Sequence, residues 1–173
     1  MDLKETIRTI PDWPKKGIMF RDITTLLQNG GAFKQCCDEL YERYKDKKID
    51  AIVGIESRGF IFGSVLAHKL GISFVPIRKP GKLPSETIKQ EYELEYGKDV
   101  IEIHKDAIKA GDKVLIVDDL IATGGSMAAA VSLVKKLEGD IVECCFVIEL
   151  PDLNGREKLK GQNIFSMMKF EGD

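Results

Sequence analysis

Apolar and polar residues alternate along the chain with two periods, which predict strands and helices in turn. Short apolar, β-rich runs predict strands at 49–55, 72–77, 114–117, 141–150 and 164–168. Helical spacing predicts helices at 2–9, 32–47, 60–70 and 126–137, the third of them ended by Gly71. Because the strands are apolar on both faces and alternate with helices, we expect an α/β fold with a mainly parallel sheet flanked by helices.

The segment 78–98 departs from this alternation. It is polar, contains Pro80, Gly81 and Pro84, and then alternates only weakly. A connection of this length inside a compact domain is usually a functional lid or a hairpin. We therefore expect 78–98 to be a flexible loop beside an active site, within a single domain that spans residues 1–173.

Composition and charge exclude some classes of partner. The chain has 173 residues, of which 43% are hydrophobic and 31% charged, and its net charge is −2. This balance is typical of a soluble globular protein and gives no positive field for nucleic acid or a membrane surface. Residues 1–8 lack an apolar signal region, and no apolar run approaches the roughly 18 residues of a membrane span. We expect a cytoplasmic protein that binds phosphate, if at all, through local geometry.

The cysteines do not indicate a metal site. They form the adjacent pairs Cys36–Cys37 and Cys144–Cys145, and the two histidines, His68 and His104, lie near neither pair in the sequence. Zinc sites use wider spacings such as C-x-x-C. Buried free thiols in a reducing compartment are the expected state.

The segment 114–126, V-L-I-V-D-D-L-I-A-T-G-G-S, carries the strongest chemical signal. A buried strand delivers Asp118 and Asp119 to its end, where two ionised carboxylates repel one another and need hydrogen-bond donors such as sugar hydroxyls. The run 123–126 opens a helix with free backbone N–H groups and two hydroxyls, which suit a phosphate. The spacing therefore fits a ribose 5-phosphate. The alternative, a solvated strand end followed by a plain turn, explains the glycines but not the whole arrangement.

A second strand end carries Glu56-Ser57-Arg58-Gly59. Backbone amides and a guanidinium there suit pyrophosphate, which arginine can bind through two parallel hydrogen bonds. Taken alone, Arg58 is equally well explained as a surface arginine at a helix start. The run 54–59 has the glycine spacing of a Walker A loop but lacks its lysine, and no G-x-G-x-x-G occurs.

These segments together resemble the type I phosphoribosyltransferases. The run 114–126 is similar to their motif for 5-phosphoribosyl 1-pyrophosphate (PRPP), and Phe60 completes a likeness of 56–60 to the pyrophosphate loop of the adenine-specific members. Further likenesses to those members are at 14–23, 78–84 and 94–98. The resemblance implies a five-stranded parallel sheet, a small hood that includes residues 1–30, and a flexible loop at 78–98. It also implies formation of AMP and pyrophosphate from adenine and PRPP, a step of purine salvage.

The resemblance also assigns roles to residues. The catalytic residues are Glu95, which acts as the general acid/base at N7 of adenine, and Asp118 and Asp119, which stabilise positive charge on the ribose. The phosphate of PRPP or AMP is bound by Ala122, Thr123, Gly124, Gly125 and Ser126. Pyrophosphate is bound by Glu56, Ser57, Arg58, Arg78, Lys79 and Lys82. Adenine is bound by Met19, Phe20 and Arg21, and Tyr96 belongs to the loop. Without the family, Met19 and Phe20 would be core residues and Glu95 a solvated glutamate.

Cofactor, assembly and rival functions follow from the same resemblance. Mg²⁺ is expected with pyrophosphate, held mainly by substrate oxygens, so no protein ligand is assigned. The family implies a homodimer. Pro80 stands where some members carry another arginine, which weakens any inference about charge there. Two alternatives stay open: a phosphoribosyltransferase for another purine base, and a non-catalytic PRPP sensor, although the chain offers no basic DNA-binding segment.

Overall fold

The computed structural model describes residues 1–94 and 96–172. A 3-10 turn, Leu3–Thr6, opens the chain. The strands and α-helices then follow in the order β1 (Arg8–Pro11), β2 (Met19–Asp22), α1 (Thr24–Gln28), α2 (Gly30–Tyr44), β3 (Ala51–Ile55), α3 (Arg58–Leu70), β4 (Ser73–Ile77), β5 (Thr87–Glu93), β6 (Lys98–His104), β7 (Lys113–Ile121), α4 (Gly125–Lys136), β8 (Asp140–Glu149) and β9 (Ile164–Lys169). Two further 3-10 turns, Pro151–Leu153 and Gly155–Leu159, join β8 to β9.

A five-stranded sheet in the order β4-β3-β7-β8-β9 forms the centre, and every neighbouring pair in it is parallel. This confirms the predicted α/β fold. Side chains alternate across β7, so that Leu115 and Val117 enter the hydrophobic cluster on one face and Val114 and Ile116 the cluster on the other. The sheet is covered on both faces, which explains why its strands read as continuous apolar runs.

The predicted helix at 2–9 is wrong over its second half. Only Leu3–Thr6 is helical, and β1 then pairs antiparallel with β2, with Ile10 opposite Phe20. Strand pairing with a segment about ten residues away decides this conformation, and local periodicity does not report such a pairing. The resulting hairpin, residues 8–22, belongs to the region predicted to be a hood.

The strand predicted at 114–117 is longer than expected. β7 runs to Ile121, because β8 continues to pair beside it as far as Ile121 opposite Glu149. Asp118 and Asp119 therefore lie within the strand and not at its end, where the sequence pattern places them. Both side chains are buried.

The segment 78–98 contains β5, which pairs with β6 in an antiparallel hairpin from Thr87 opposite His104 to Glu93 opposite Lys98. Near its tip the hairpin reaches the start of α4, since a Cβ built on Gly125 would lie 3.4 Å from the carbonyl oxygen of Glu93. Residues 87–93 of this connection are thus strand, and the end of that strand lies beside the glycine-rich loop.

The four cysteines are buried free thiols, as predicted. Burial raises the pKa of Cys37 to about 11 and those of Cys144 and Cys145 to about 12. Such thiols stay protonated at neutral pH and are poor nucleophiles. Among the helices of residues 1–94 and 96–172, none has the length and apolar character that crossing a membrane requires.

Candidate active site

A cavity of about 550 Å³ opens at the carboxyl edge of the sheet, beside the ends of β3 and β7 and the hairpin β5–β6. Parallel α/β sheets bind their ligands at this edge. The predicted site residues that line it are Glu56, Ser57, Arg58, Lys79, Asp118, Asp119, Ala122, Thr123, Gly124, Gly125 and Ser126. Three segments that are far apart in the sequence therefore meet at one cavity.

Asp119 is paired with Arg58. The Nε–H of Arg58 donates to Oδ2 of Asp119 at 2.5 Å, and the aspartate side chain is only 5% exposed. The Asp119 carboxylate raises the pKa of Arg58. A guanidinium has five N–H donors, so this bond leaves donors for a second anion in the cavity. Arg58 thus lines the cavity and is bonded to the acid pair at the same time.

Gly59 explains how Arg58 comes so near to β7. A Cβ built on Gly59 would lie 2.8 Å from the carbonyl oxygen of Val117 and 3.1 Å from Oδ1 of Asp118. Only glycine allows the first turn of α3 to lie this close to the strand. The close contact fixes the start of α3 beside the two aspartates.

Asp118 has a different environment from its neighbour. Its Oδ1 accepts the backbone N–H of Asp119 at 2.8 Å. Burial, followed by repulsion from Asp119, raises the pKa of Asp118 well above its usual range. The charges of the acid pair are therefore accommodated in two ways: Arg58 pairs with the Asp119 carboxylate, and burial favours the protonated form of Asp118.

We expect this raised pKa to affect stability. The folded protein keeps the Asp118 proton to a higher pH than the unfolded chain, whose aspartates titrate near about 4. The stabilisation present at lower pH is therefore lost as the pH rises through the folded-state pKa. An asparagine side chain cannot ionise and escapes this loss, so Asp118→Asn should gain stability relative to the wild type as the pH rises above about 4 and toward neutral.

Urea denaturation across that pH range measures the effect. The exposed Asp106 supplies the control, because Asp106→Asn should show no comparable gain relative to the wild type. A constant difference between Asp118→Asn and the wild type at every pH would contradict the assignment.

The glycine-rich loop 122–126 leads into α4. Gly124 adopts the left-handed conformation, with φ of 85°, and no side chain caps the helix start. The first N–H groups of the helix are therefore available to an anion. A Cβ built on Gly124 would lie 2.4 Å from the carbonyl oxygen of Gly155. The sequence does not indicate this contact, since no local pattern around Gly155 predicts it.

Three of the predicted pyrophosphate-binding residues, Arg78, Lys79 and Lys82, lie around Glu56. Its Oε1 accepts the backbone N–H of Lys79 at 2.8 Å, and its carboxylate lies 3.4 Å from Nε of Arg78 and 3.6 Å from Nζ of Lys82. Glu56 thus lies within ion-pair distance of the Arg78 and Lys82 side chains and holds the backbone at Lys79. Lys79 also bonds to Asp99 and to the hydroxyl of Tyr92, a cavity residue that the sequence did not indicate.

The hood and the hairpin tip hold the remaining predicted residues. Met19, Phe20 and Arg21 lie on β2 and are not among the described residues that line the cavity. Tyr96 is 76% exposed, and Nζ of Lys15 lies 4.5 Å from its ring centre. This cation–π contact joins the turn of the hood to the tip of the hairpin. Glu95 lies outside the described residues.

Comparison with known proteins gives consistent matches. The model of the phosphoribosyl transferase domain matches residues 22–171. The adenine phosphoribosyltransferase of Desulfosudis oleivorans is 58% identical over 173 residues, with 100% of both chains covered. The crystal structure of the adenine phosphoribosyltransferase of Thermoanaerobacter pseudethanolicus is similar with a TM-score of 0.94 at 51% identity, and the match covers 98% of each chain. The structure of the Saccharomyces cerevisiae adenine phosphoribosyltransferase, complexed with an imino-altritol bisphosphate and adenine, gives a TM-score of 0.91 at 49% identity. The match covers 96% of this chain and 97% of the yeast chain.

Proposed function

Because this chain belongs to the phosphoribosyltransferase family, we propose that its cavity joins adenine to the ribose 5-phosphate of PRPP and releases pyrophosphate. The chain is an enzyme, and adenine is its base. The observation that carries the proposal is the meeting of an acid pair, a guanidinium and a glycine-rich helix start in one cavity of about 550 Å³. The product, AMP, makes the reaction one of purine salvage.

Each part of the cavity suits one part of PRPP. The loop 122–126 offers N–H groups and hydroxyls to the 5′-phosphate. Asp118 and Asp119 line the cavity where the ribose would lie, so that their oxygens can accept from the 2′ and 3′ hydroxyls. The carboxylate of Asp119, paired with Arg58, stabilises the positive charge that develops as pyrophosphate departs. Arg58 and Lys79 line the same cavity and supply donors for the leaving pyrophosphate. Arg78 and Lys82 lie just behind them around Glu56.

Mg²⁺ fits this arrangement as a companion of the substrate. Residues 1–94 and 96–172 hold no group of three or more His, Cys, Asp or Glu side chains placed to ligate one ion. A magnesium ion commonly keeps several waters and binds through substrate phosphates with one or two carboxylates. Asp118 and Asp119 are the carboxylates that could serve. When bound, Mg²⁺ neutralises charge on the pyrophosphate.

The base-binding and general acid/base residues are also proposals. The β2 segment 19–21 would read adenine through its backbone, with Met19 on the ring, as the family resemblance implies. Glu95 would shift the N7 proton as N9 becomes nucleophilic. Closure of the hairpin tip onto the hood would exclude water, which otherwise hydrolyses PRPP. The contact between Lys15 and Tyr96 supports such a closure.

Glu95→Gln is expected to lower turnover roughly a hundredfold, because glutamine cannot transfer the proton. The KM for PRPP should change little, since the proposed proton transfer involves adenine and not PRPP. Steady-state kinetics with both substrates varied provide the measurement. Glu91→Gln, an exposed position on the same hairpin, is the control and should retain turnover. Turnover near the wild-type value in Glu95→Gln would show that the acid/base role is wrong.

Pyrophosphate release tests the function as a whole. Adenine, hypoxanthine, guanine, xanthine and orotate are compared side by side with PRPP and Mg²⁺. Release with adenine alone, with AMP as the second product, is the expected result. Release with another base would favour the first alternative. PRPP binding without release from any base would favour the sensor.

Assembly and location complete the proposal. The family resemblance supports a homodimer in the cytoplasm, built from one domain over residues 1–173 with its hood at 1–30. Sedimentation velocity of the purified chain measures the oligomeric state. A monomer at working concentration would overturn the dimer without affecting the assignment of the reaction.

A further inference from the structure

The connection between β8 and β9 lies directly against the phosphate loop. The Gly155 carbonyl oxygen lies 2.4 Å from a Cβ built on Gly124, and a Cβ built on Gly155 would lie 2.5 Å from the carbonyl oxygen of Ala122. The two backbones therefore touch with no side chain between them. Any shift of the connection at Gly155 must move the loop as well, since closely packed groups transmit displacement.

The residue after Gly155 is held firmly to the sheet. Arg156 donates from Nε and from a terminal nitrogen to the two carboxylate oxygens of Glu149, at 2.6 and 2.9 Å. Two parallel charge-assisted bonds fix the orientation of both groups. Glu149 is only 4% exposed and also accepts the Ser166 hydroxyl at 2.7 Å. Its carboxylate is thus fixed from β9 as well.

The ends of β7 and β8 carry both the loop 122–126 and the Glu149–Arg156 pair. Glu149 is the last residue of β8 and lies opposite Ile121, the last residue of β7 before the loop. The N–H of Leu150 also donates to the carbonyl of Ile121 at 3.0 Å. The Glu149–Arg156 pair therefore has a short, rigid connection to the phosphate loop on two sides: along the strands and through Gly155.

We propose that Glu149 and Arg156 are positioning residues that hold the loop 122–126 in the shape that binds the 5′-phosphate of PRPP. The inference rests on the proposed function, in which that loop binds this phosphate. Neither residue lines the cavity among the described residues, so their effect passes along the ends of β7 and β8 and through the contact of Gly155 with Gly124. A loop held in its binding shape before the ligand arrives has less ordering entropy to lose on binding.

Arg156→Gln tests the proposal. Loss of the two Arg156–Glu149 bonds should raise the KM for PRPP roughly tenfold, because the phosphate-binding groups would be modestly displaced. The KM for adenine should change less than about twofold, because adenine is proposed to bind at 19–21 and not at this loop. Arg156→Lys keeps the charge but not the two parallel bonds, so its KM for PRPP should lie between those of the wild type and Arg156→Gln.

A matched control is available on the same strand. Glu143, near the start of β8, is also buried and also accepts two bonds from an arginine, Arg43, at 3.0 and 2.9 Å. This pair lies at the end of the strand away from the cavity. Arg43→Gln should lower the melting temperature as Arg156→Gln does and leave the KM for PRPP unchanged.

The outcomes are distinguishable. A selective rise in the KM for PRPP in Arg156→Gln, with partial recovery in Arg156→Lys, supports the proposal. An unchanged KM for PRPP in Arg156→Gln, or an equal rise in Arg43→Gln, would overturn it. The proposed function would stand in that case, provided that the wild-type protein is active with adenine. A wild-type protein that releases no pyrophosphate would overturn the proposed function and this inference together.

Discussion

Replacement of Asp119 by asparagine is expected to lower turnover roughly a thousandfold. The carboxylate lines the cavity, is almost fully buried and is fixed by the bond from Arg58. Fixed charges in a site shielded from water stabilise a developing opposite charge far more than they would in solution. Asparagine has nearly the same shape but no charge, and it leaves the positive charge of Arg58 unopposed beside a ribose that is becoming positive.

The measurement is kcat with adenine and PRPP both saturating, combined with a thermal melt. Glu143→Gln is the control, because it neutralises another buried, arginine-paired carboxylate away from the cavity. Glu143→Gln should lower the melting temperature without a large change in kcat. A kcat for Asp119→Asn within about tenfold of the wild type would contradict the electrostatic role.

Replacement of Gly124 by alanine is expected to lower kcat/KM for PRPP roughly a thousandfold and the free energy of unfolding by about 3 kcal/mol. The new methyl group would lie 2.4 Å from the Gly155 carbonyl oxygen, where ordinary contact begins at 3.4 Å. The loop must therefore move by about an ångström, and such a displacement of binding groups is costly. The φ of 85° adds a backbone penalty for any residue but glycine.

Gly71→Ala separates the backbone penalty from the clash with Gly155. Gly71 ends α3 with a φ of 68°, and a Cβ built there meets nothing within 4 Å. This variant therefore suffers the backbone penalty of about 1 kcal/mol without the clash, and it should keep full activity. Urea denaturation and kinetics in PRPP compare the pair. Equal losses of stability and activity in Gly71→Ala and Gly124→Ala would contradict the role of the contact with Gly155.

Local signals were sufficient for much of the fold. The apolar runs that became β3, β7 and β8 identified a parallel sheet because strands buried on both faces must be apolar throughout. Gly71 ended a helix as predicted, since its left-handed conformation depends on the turn itself. The helix predicted at 2–9 failed because β1 owes its conformation to pairing with β2, which no local pattern encodes.

Residue patterns alone identified the five strands of the central sheet in chain order and the helices α2, α3 and α4. They also identified the family and the chemical groups available: two adjacent carboxylates, a helix start rich in glycine, and an arginine after a strand. These depend on residue identity over short spans, so the chain carries them in readable form. How those groups are used depends on the folded arrangement. It showed that Arg58 pairs with Asp119, that burial raises the pKa of Asp118, and that the carbonyl of Gly155 lies against the phosphate loop. Each of these depends on distances between segments that only the packing of strands and helices brings together.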